Sequence, residues 1–130
     1  NLLSPSNTKS VENSYNVNNT TPWLRYKFPH GRVKLTAYSI KQDRDFWLRN
    51  WNLEGSDDGE KWTVVKQHVE DKSITVEHKQ AEWNLEDCEF WTNYRIILTG
   101  DSEHANATLH KDKGLRNFDI LYIGFKGYFE

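Results

Sequence analysis

The side chains with chemistry to offer are few and dispersed. Asp43 and Asp45 flank Arg44, Asp57-Asp58 precede Gly59, His68, His78, His104 and His110 are scattered, and Cys88 stands alone. Acid–base or nucleophilic catalysis needs partners brought together in a perturbing pocket, and nothing in these spacings supplies them. Asp43-Arg44-Asp45 reads as a solvated salt-bridge cluster. Calcium needs about six to eight oxygens, and no carboxylate follows Asp57-Asp58-Gly59 at a loop-like spacing, so a tight turn is the expectation. No His pair at i, i+4 and no Cys/His cluster points to zinc. Cys88, with no Cys or His beside it, reads as a packed or idle thiol. The chain is therefore expected to be no enzyme and to need neither metal nor cofactor.

Binding is better represented. Phe46-Trp47 sits where a polar loop enters a strand, and an aromatic at a loop edge either stacks on a ligand or caps the core. A second polar connection, 101–114, carries His104, His110, Lys111 and Lys113, and long connections in small domains often carry function. The candidate ligand-binding residues are Arg44, Phe46, Trp47, His104, His110 and Lys111. They serve one site only where the two loops share a rim.

The elements that must hold these loops read as strands. Residues 1–21 are rich in Ser, Asn and Thr and are expected to be coil lying on the domain. Leu24, Tyr26 and Phe28 then alternate with Arg25 and Lys27, giving a half-buried strand that Pro29-His30-Gly31 ends. Val33, Leu35, Tyr38 and Ile40 form a second strand whose phase breaks at Thr36-Ala37, as a bulge would cause. Trp51, Leu53 and Gly55 share one face of a third, Asp57-Asp58-Gly59 turns the chain, and Trp62-Thr63-Val64-Val65 begins its return. Ile74-Thr75-Val76 is a short β-branched run. Further strands are expected around Trp83 and Leu85, over Tyr94-Arg95-Ile96-Ile97-Leu98, and from Phe118 to Phe125. No segment keeps a helical apolar period, so seven or eight short strands in an all-β sandwich or jelly roll follow. Trp23, Trp51, Trp62 and Trp83 are assigned to its core.

The segment Trp47-Leu48-Arg49-Asn50-Trp51-Asn52-Leu53-Glu54-Gly55-Ser56-Asp57-Asp58-Gly59-Glu60-Lys61-Trp62 resembles the signature of discoidin domains, also called coagulation-factor type C domains. Trp23 to Phe28, Val33, Tyr38-Ser39-Ile40, Tyr94-Arg95-Ile96 and Ile123-Gly124-Phe125-Lys126-Gly127 extend the similarity from about Trp23 to Gly127. The resemblance implies a galactose-binding-like jelly-roll β-sandwich, a fold whose members take sugar, phospholipid, collagen or protein ligands. Secreted members usually join the two ends of the domain by a disulfide, which a lone Cys88 cannot form. The chain looks more like the intracellular branch, found beside BTB, kelch-like and ubiquitin-ligase modules. That implies a protein-interaction module; the alternative is a carbohydrate-binding module using the rim loops.

Composition agrees with one small binding domain. The 130 residues fit a single unit, 1–130, and six each of Trp, Tyr and Phe concentrate its burial into large rings. Opening without Met, it is expected to be excised from a larger protein and monomeric by itself. A net charge of −2 with both signs interspersed gives no pull on nucleic acid or an anionic membrane. No apolar stretch is long enough to span a bilayer as a helix, and the absence of paired cysteines suits an intracellular, cytoplasmic setting. Asn18-Asn19-Thr20, Asn19-Thr20-Thr21 and Asn106-Ala107-Thr108 match the glycosylation pattern, which matters only in a secreted chain.

Overall fold

The computed structural model describes the backbone of residues 12–15 together with 22–43, 46–104 and 120–130. Among the described residues there is no helix. Eleven strands run in chain order: β1 (Glu12–Tyr15), β2 (Trp23–Lys27), β3 (Val33–Gln42), β4 (Phe46–Trp47), β5 (Trp51–Ser56), β6 (Thr63–His68), β7 (Gln80–Asn84), β8 (Phe90–Trp91), β9 (Asn93–Leu98), β10 (Glu103–His104) and β11 (Ile120–Phe129). They build an antiparallel five-stranded sheet in the order β1-β2-β9-β5-β6, a second sheet in the order β11-β3-β7 with β8 also on β3, and a two-stranded β10–β4 pair. The order crosses over repeatedly, as in a jelly roll rather than a meander.

Period-two patterning explains the packing. Leu24 and Tyr26 of β2, Trp51 and Leu53 of β5, and Tyr94, Ile96 and Leu98 of β9 face Val33, Leu35, Tyr38 and Ile40 of β3 and Ile123 and Phe125 of β11. Aromatic edges close the contacts: Tyr26 meets Phe125 at 5.4 Å between centroids, and Phe28 meets Tyr94 and Phe125 at 6.1 and 5.7 Å. The phase break in β3 is a bulge, because Lys126 pairs with Ala37 and Gly127 with Leu35, leaving Thr36 unopposed. In the β5–β6 turn Gly59 takes φ +76°, and Asp58 accepts hydrogen bonds from Ser56 Oγ and from the amides of Glu60 and Lys61. Those bonds converge on Oδ1, hold Asp58 down at about pKa 2 and make the segment a self-contained turn.

Three expectations change. The stretch 1–21 includes strand β1, paired with β2. Trp23 and Trp62 are not core residues: register aligns Trp23 with Ile97 and Asn52 on the outward face, and Trp62 leaves the turn to cover Arg95, 4.3 Å from ring centre to guanidinium. Trp51, fully buried, and Trp83, packed against the core, do stand where the sequence put them.

Candidate functional site

Strand β4 pairs with β10, placing Phe46 opposite His104 and Trp47 opposite Glu103. The described ends of the two polar connections singled out in the sequence, 46–47 and 103–104, are therefore paired along one edge. Phe46 is half-buried, whereas Trp47 is 4% exposed and belongs to the core. Period two gives the reason, since of two successive strand residues only one faces outward. The Trp47 ring caps the core and is not a rim platform. Arg44, His110, Lys111 and the side chain of His104 lie outside the described residues.

A buried bracket sets the entry and exit of the first connection. Gln42, with no exposed surface, donates from Nε2 to the Phe46 carbonyl at 2.8 Å and accepts at Oε1 from the Leu48 amide at 3.0 Å. The next two residues brace the neighbouring loops. Arg49 donates from Nη1 to the carbonyls of Leu48 and Ile74, at 2.8 and 2.7 Å, and Nη2 lies 3.5 Å from Glu103. Asn50 donates to Glu70 at 3.0 Å and to the Asp101 carbonyl at 3.3 Å, and accepts from the Glu70 amide at 2.9 Å. Glu70 holds this position with φ 46°, and Gly100 is required because a Cβ there would lie 2.9 Å from Asn50 Cβ. The Leu-Arg-Asn stretch, read from sequence only as part of a strand and a signature, thus ties 69–74 and 99–103 to β4. These bonds are satisfied largely by backbone, as buried polar groups require.

Sequence reasoning missed a polar chain beneath this edge. The Trp51 indole donates to Tyr38 Oη at 3.1 Å, Tyr38 Oη bonds His68 Nε2, and His68 Nδ1 bonds Asp71 at 2.7 Å. Asp71 also accepts from Ser73 Oγ and N, and its amide donates to the Arg49 carbonyl at 2.8 Å. Burial holds His68 below its usual range against the opposing pull of Asp71. Burial pushes Asp71 up, but the hydrogen bonds from Ser73 and His68 outweigh it and keep the carboxyl low. Tyr38 is raised by burial. A neutral imidazole with Nδ1–H toward Asp71 and Nε2 accepting from Tyr38 satisfies every group. An Asp–His–hydroxyl line can activate a nucleophile, but Tyr38 has no exposed surface and His68 is stacked under Trp51, so no substrate reaches it. The usable signal was His68-x-x-Asp71, which has no meaning until β6 ends in the core.

Among the described residues no group of three or more His, Cys, Asp or Glu converges as metal ligands would, and no helix is long and apolar enough to cross a membrane. Cys88 is buried, donating to the Glu89 carbonyl at 3.2 Å and lying 3.3 Å from Tyr94 Oη, as a packed thiol does.

No family model matches the chain. The E3 ubiquitin-protein ligase Ufd4 of Drosophila melanogaster is 36% identical over 82 residues, which is 58% of this chain and 3% of that ligase. A BTB/POZ domain-containing protein of Arabidopsis thaliana is 27% identical over 96 residues, 71% of this chain and 11% of that protein. The chain thus spans only a small part of the curated relatives it matches. Among solved structures, CBM32-1 from a family 31 glycoside hydrolase of Clostridium perfringens superposes with TM-score 0.59 at 8% identity, covering 95% of this chain and 97% of that one. Chitosan-binding module 1 from a Paenibacillus chitosanase/glucanase gives 0.58 at 6% identity, over 94% and 78%. The chain has the galactose-binding-like jelly-roll fold of discoidin-type and family 32 modules.

Proposed function

We propose that this domain is a non-catalytic carbohydrate-binding module whose ligand sits on the edge formed by β4, β10, the connection before β4 and the connection after β10. The observation that carries the reading is the β4–β10 pairing, which sets Phe46 opposite His104 in a sandwich that matches a carbohydrate-binding module over almost its full length. Strands are committed to the core, so selectivity falls to such connections. Phe46 supplies the ring for the apolar face of a sugar, and Arg44, His104, His110 and Lys111 supply donors to its hydroxyls. Trp47 and the Gln42 bracket hold the edge from beneath.

A glycan array and titration calorimetry test this with wild type and Phe46→Ala, each checked for native folding. Wild type is expected to bind a saccharide weakly and Phe46→Ala to lose about tenfold, the typical weight of one well-placed anchor. Retention of full affinity by the folded variant overturns the site. A second reading, docking of a protein partner within a larger intracellular protein, is favoured by the partial identity to Ufd4. It replaces the first if the array is silent while a partner is captured through Phe46.

A further inference from the structure

The outward face of the five-stranded sheet holds a charge arrangement that packing does not explain. Register aligns Arg25, Arg95, Glu54 and Val64 in one row across β2, β9, β5 and β6. Two arginines therefore stand directly opposite one another, a pairing that repels. The single acidic group in the row is consumed. Glu54 Oε1 accepts from both the Nε and Nη2 of Arg95, at 2.8 and 2.7 Å, and its Oε2 accepts from Asn52 Nδ2 at 3.1 Å. Arg25 is left with no carboxylate among the described residues: its guanidinium lies 5.9 Å from the Trp23 ring centre and against Gly59, and its Nε is buried without a hydrogen-bond partner. Trp23 and Trp62, both half-buried, flank the row, with Trp62 stacked on Arg95.

We infer that this face is a second ligand site, in which Arg25 binds the carboxylate of an acidic saccharide unit while Trp23 and Trp62 receive its ring faces. A planar guanidinium pairs with a carboxylate through two parallel hydrogen bonds, and flat indole rings suit the apolar faces of a pyranose. One uncompensated cation in the row matches one anionic group. A polyanion such as nucleic acid would call for a run of cations that the chain lacks. The saccharide class rests on the carbohydrate-binding reading of the domain; the charge and the aromatic frame stand independently, and the site lies on a sheet face, away from the β4–β10 edge.

The test uses tetragalacturonate and its neutral methyl ester, which differ only in charge, titrated into wild type, Arg25→Gln, Arg25→Lys and Phe46→Ala at low and moderate salt, with thermal melts to establish folding. Wild type is expected to prefer the acid by at least about fivefold, a preference that salt weakens. Arg25→Gln removes the preference, Arg25→Lys keeps part of it because charge survives without the fork, and Phe46→Ala weakens edge binding of acid and ester alike while the salt-sensitive, Arg25-dependent binding of the acid persists. On binding, the indole N–H signals of Trp23 and Trp62 shift in NMR spectra and that of Trp51 does not. No preference in wild type, an unchanged preference in Arg25→Gln, or equal binding of tetraglutamate overturns the inference. Loss of ester binding with the Arg25-dependent preference retained removes the edge site and leaves this one standing.

Discussion

The Trp51 indole lies flat on the His68 imidazole, 3.9 Å between ring centres and 10° between planes. The pair joins the strongest hydrophobic anchor of β5 to the one buried imidazole among the described residues. Trp83 closes the box at 4.9 Å from His68, and Tyr38 and Asp71 take its two nitrogens. Protonating His68 costs Nε2 its acceptor role toward Tyr38 inside a region that desolvates charge.

Stability should consequently fall with acid. His68 has a folded pKa below its usual 6.5, so the unfolded chain binds the proton first. Its contribution is complete above pH 6.5 and is lost as pH drops through the lower folded value, with a slope of at most about 1.4 kcal/mol per pH unit. Asp71, also depressed, adds a loss of the same sign below its ordinary 3.8. Urea unfolding from pH 8 to 4 checks this: His68→Gln should be less stable at pH 8 but show a flatter profile between pH 6.5 and 5. Parallel profiles would place the titration elsewhere.

Two of the three tryptophans of the signature segment, Trp51 and Trp62, should behave differently. Trp51→Ala removes a fully buried ring and is expected to destabilise the fold by about 3–5 kcal/mol. Trp62→Ala gives up a half-exposed stack on Arg95 and should lose only about 1 kcal/mol. Chemical denaturation of the two variants measures the gap, and equal losses would contradict the outward placement of Trp62.

Arg49→Met should loosen two loops at once. It strips the Ile74 and Leu48 carbonyls of a buried donor, worth about 1–3 kcal/mol. Amide exchange should quicken over residues 69–76 and 101–104, with the β3 interior unaffected. Uniform acceleration would mean that Arg49 supports the whole sandwich rather than its end.

Cys88, buried between Glu89 and Tyr94, should react with a thiol reagent only on unfolding. The labelling rate should rise with urea in step with tryptophan fluorescence. Prompt labelling of the native domain would show that this corner opens independently.

Much of the sandwich was legible because alternation is a local signal. Leu24, Tyr26 and Phe28, the Trp51-Leu53 face, the Asp58-Gly59 turn and even the bulge at Thr36 follow from residue order alone. What could not be read was which side of the sheet an aromatic takes at an element's end. Trp47 and Trp62 exchanged roles because one residue of register decides between core and surface. The meeting of β4 with β10 joins residues far apart in the chain, and the Tyr38–His68–Asp71 line draws on two strands and a loop. Neither has a short-range pattern.

The bracket made by Gln42 touches only main-chain groups, the Phe46 carbonyl and the Leu48 amide, and Arg49 likewise grips the carbonyls of Leu48 and Ile74. Main-chain atoms are the same whatever side chains accompany them. The residues between Gln42 and Phe46 can therefore be exchanged without disturbing the anchorage, much as a socket accepts different bulbs. The scaffold is in this sense a host for foreign loops: a library randomised at positions 43–45, with Gln42, Arg49 and Asn50 retained, is expected to keep its frame.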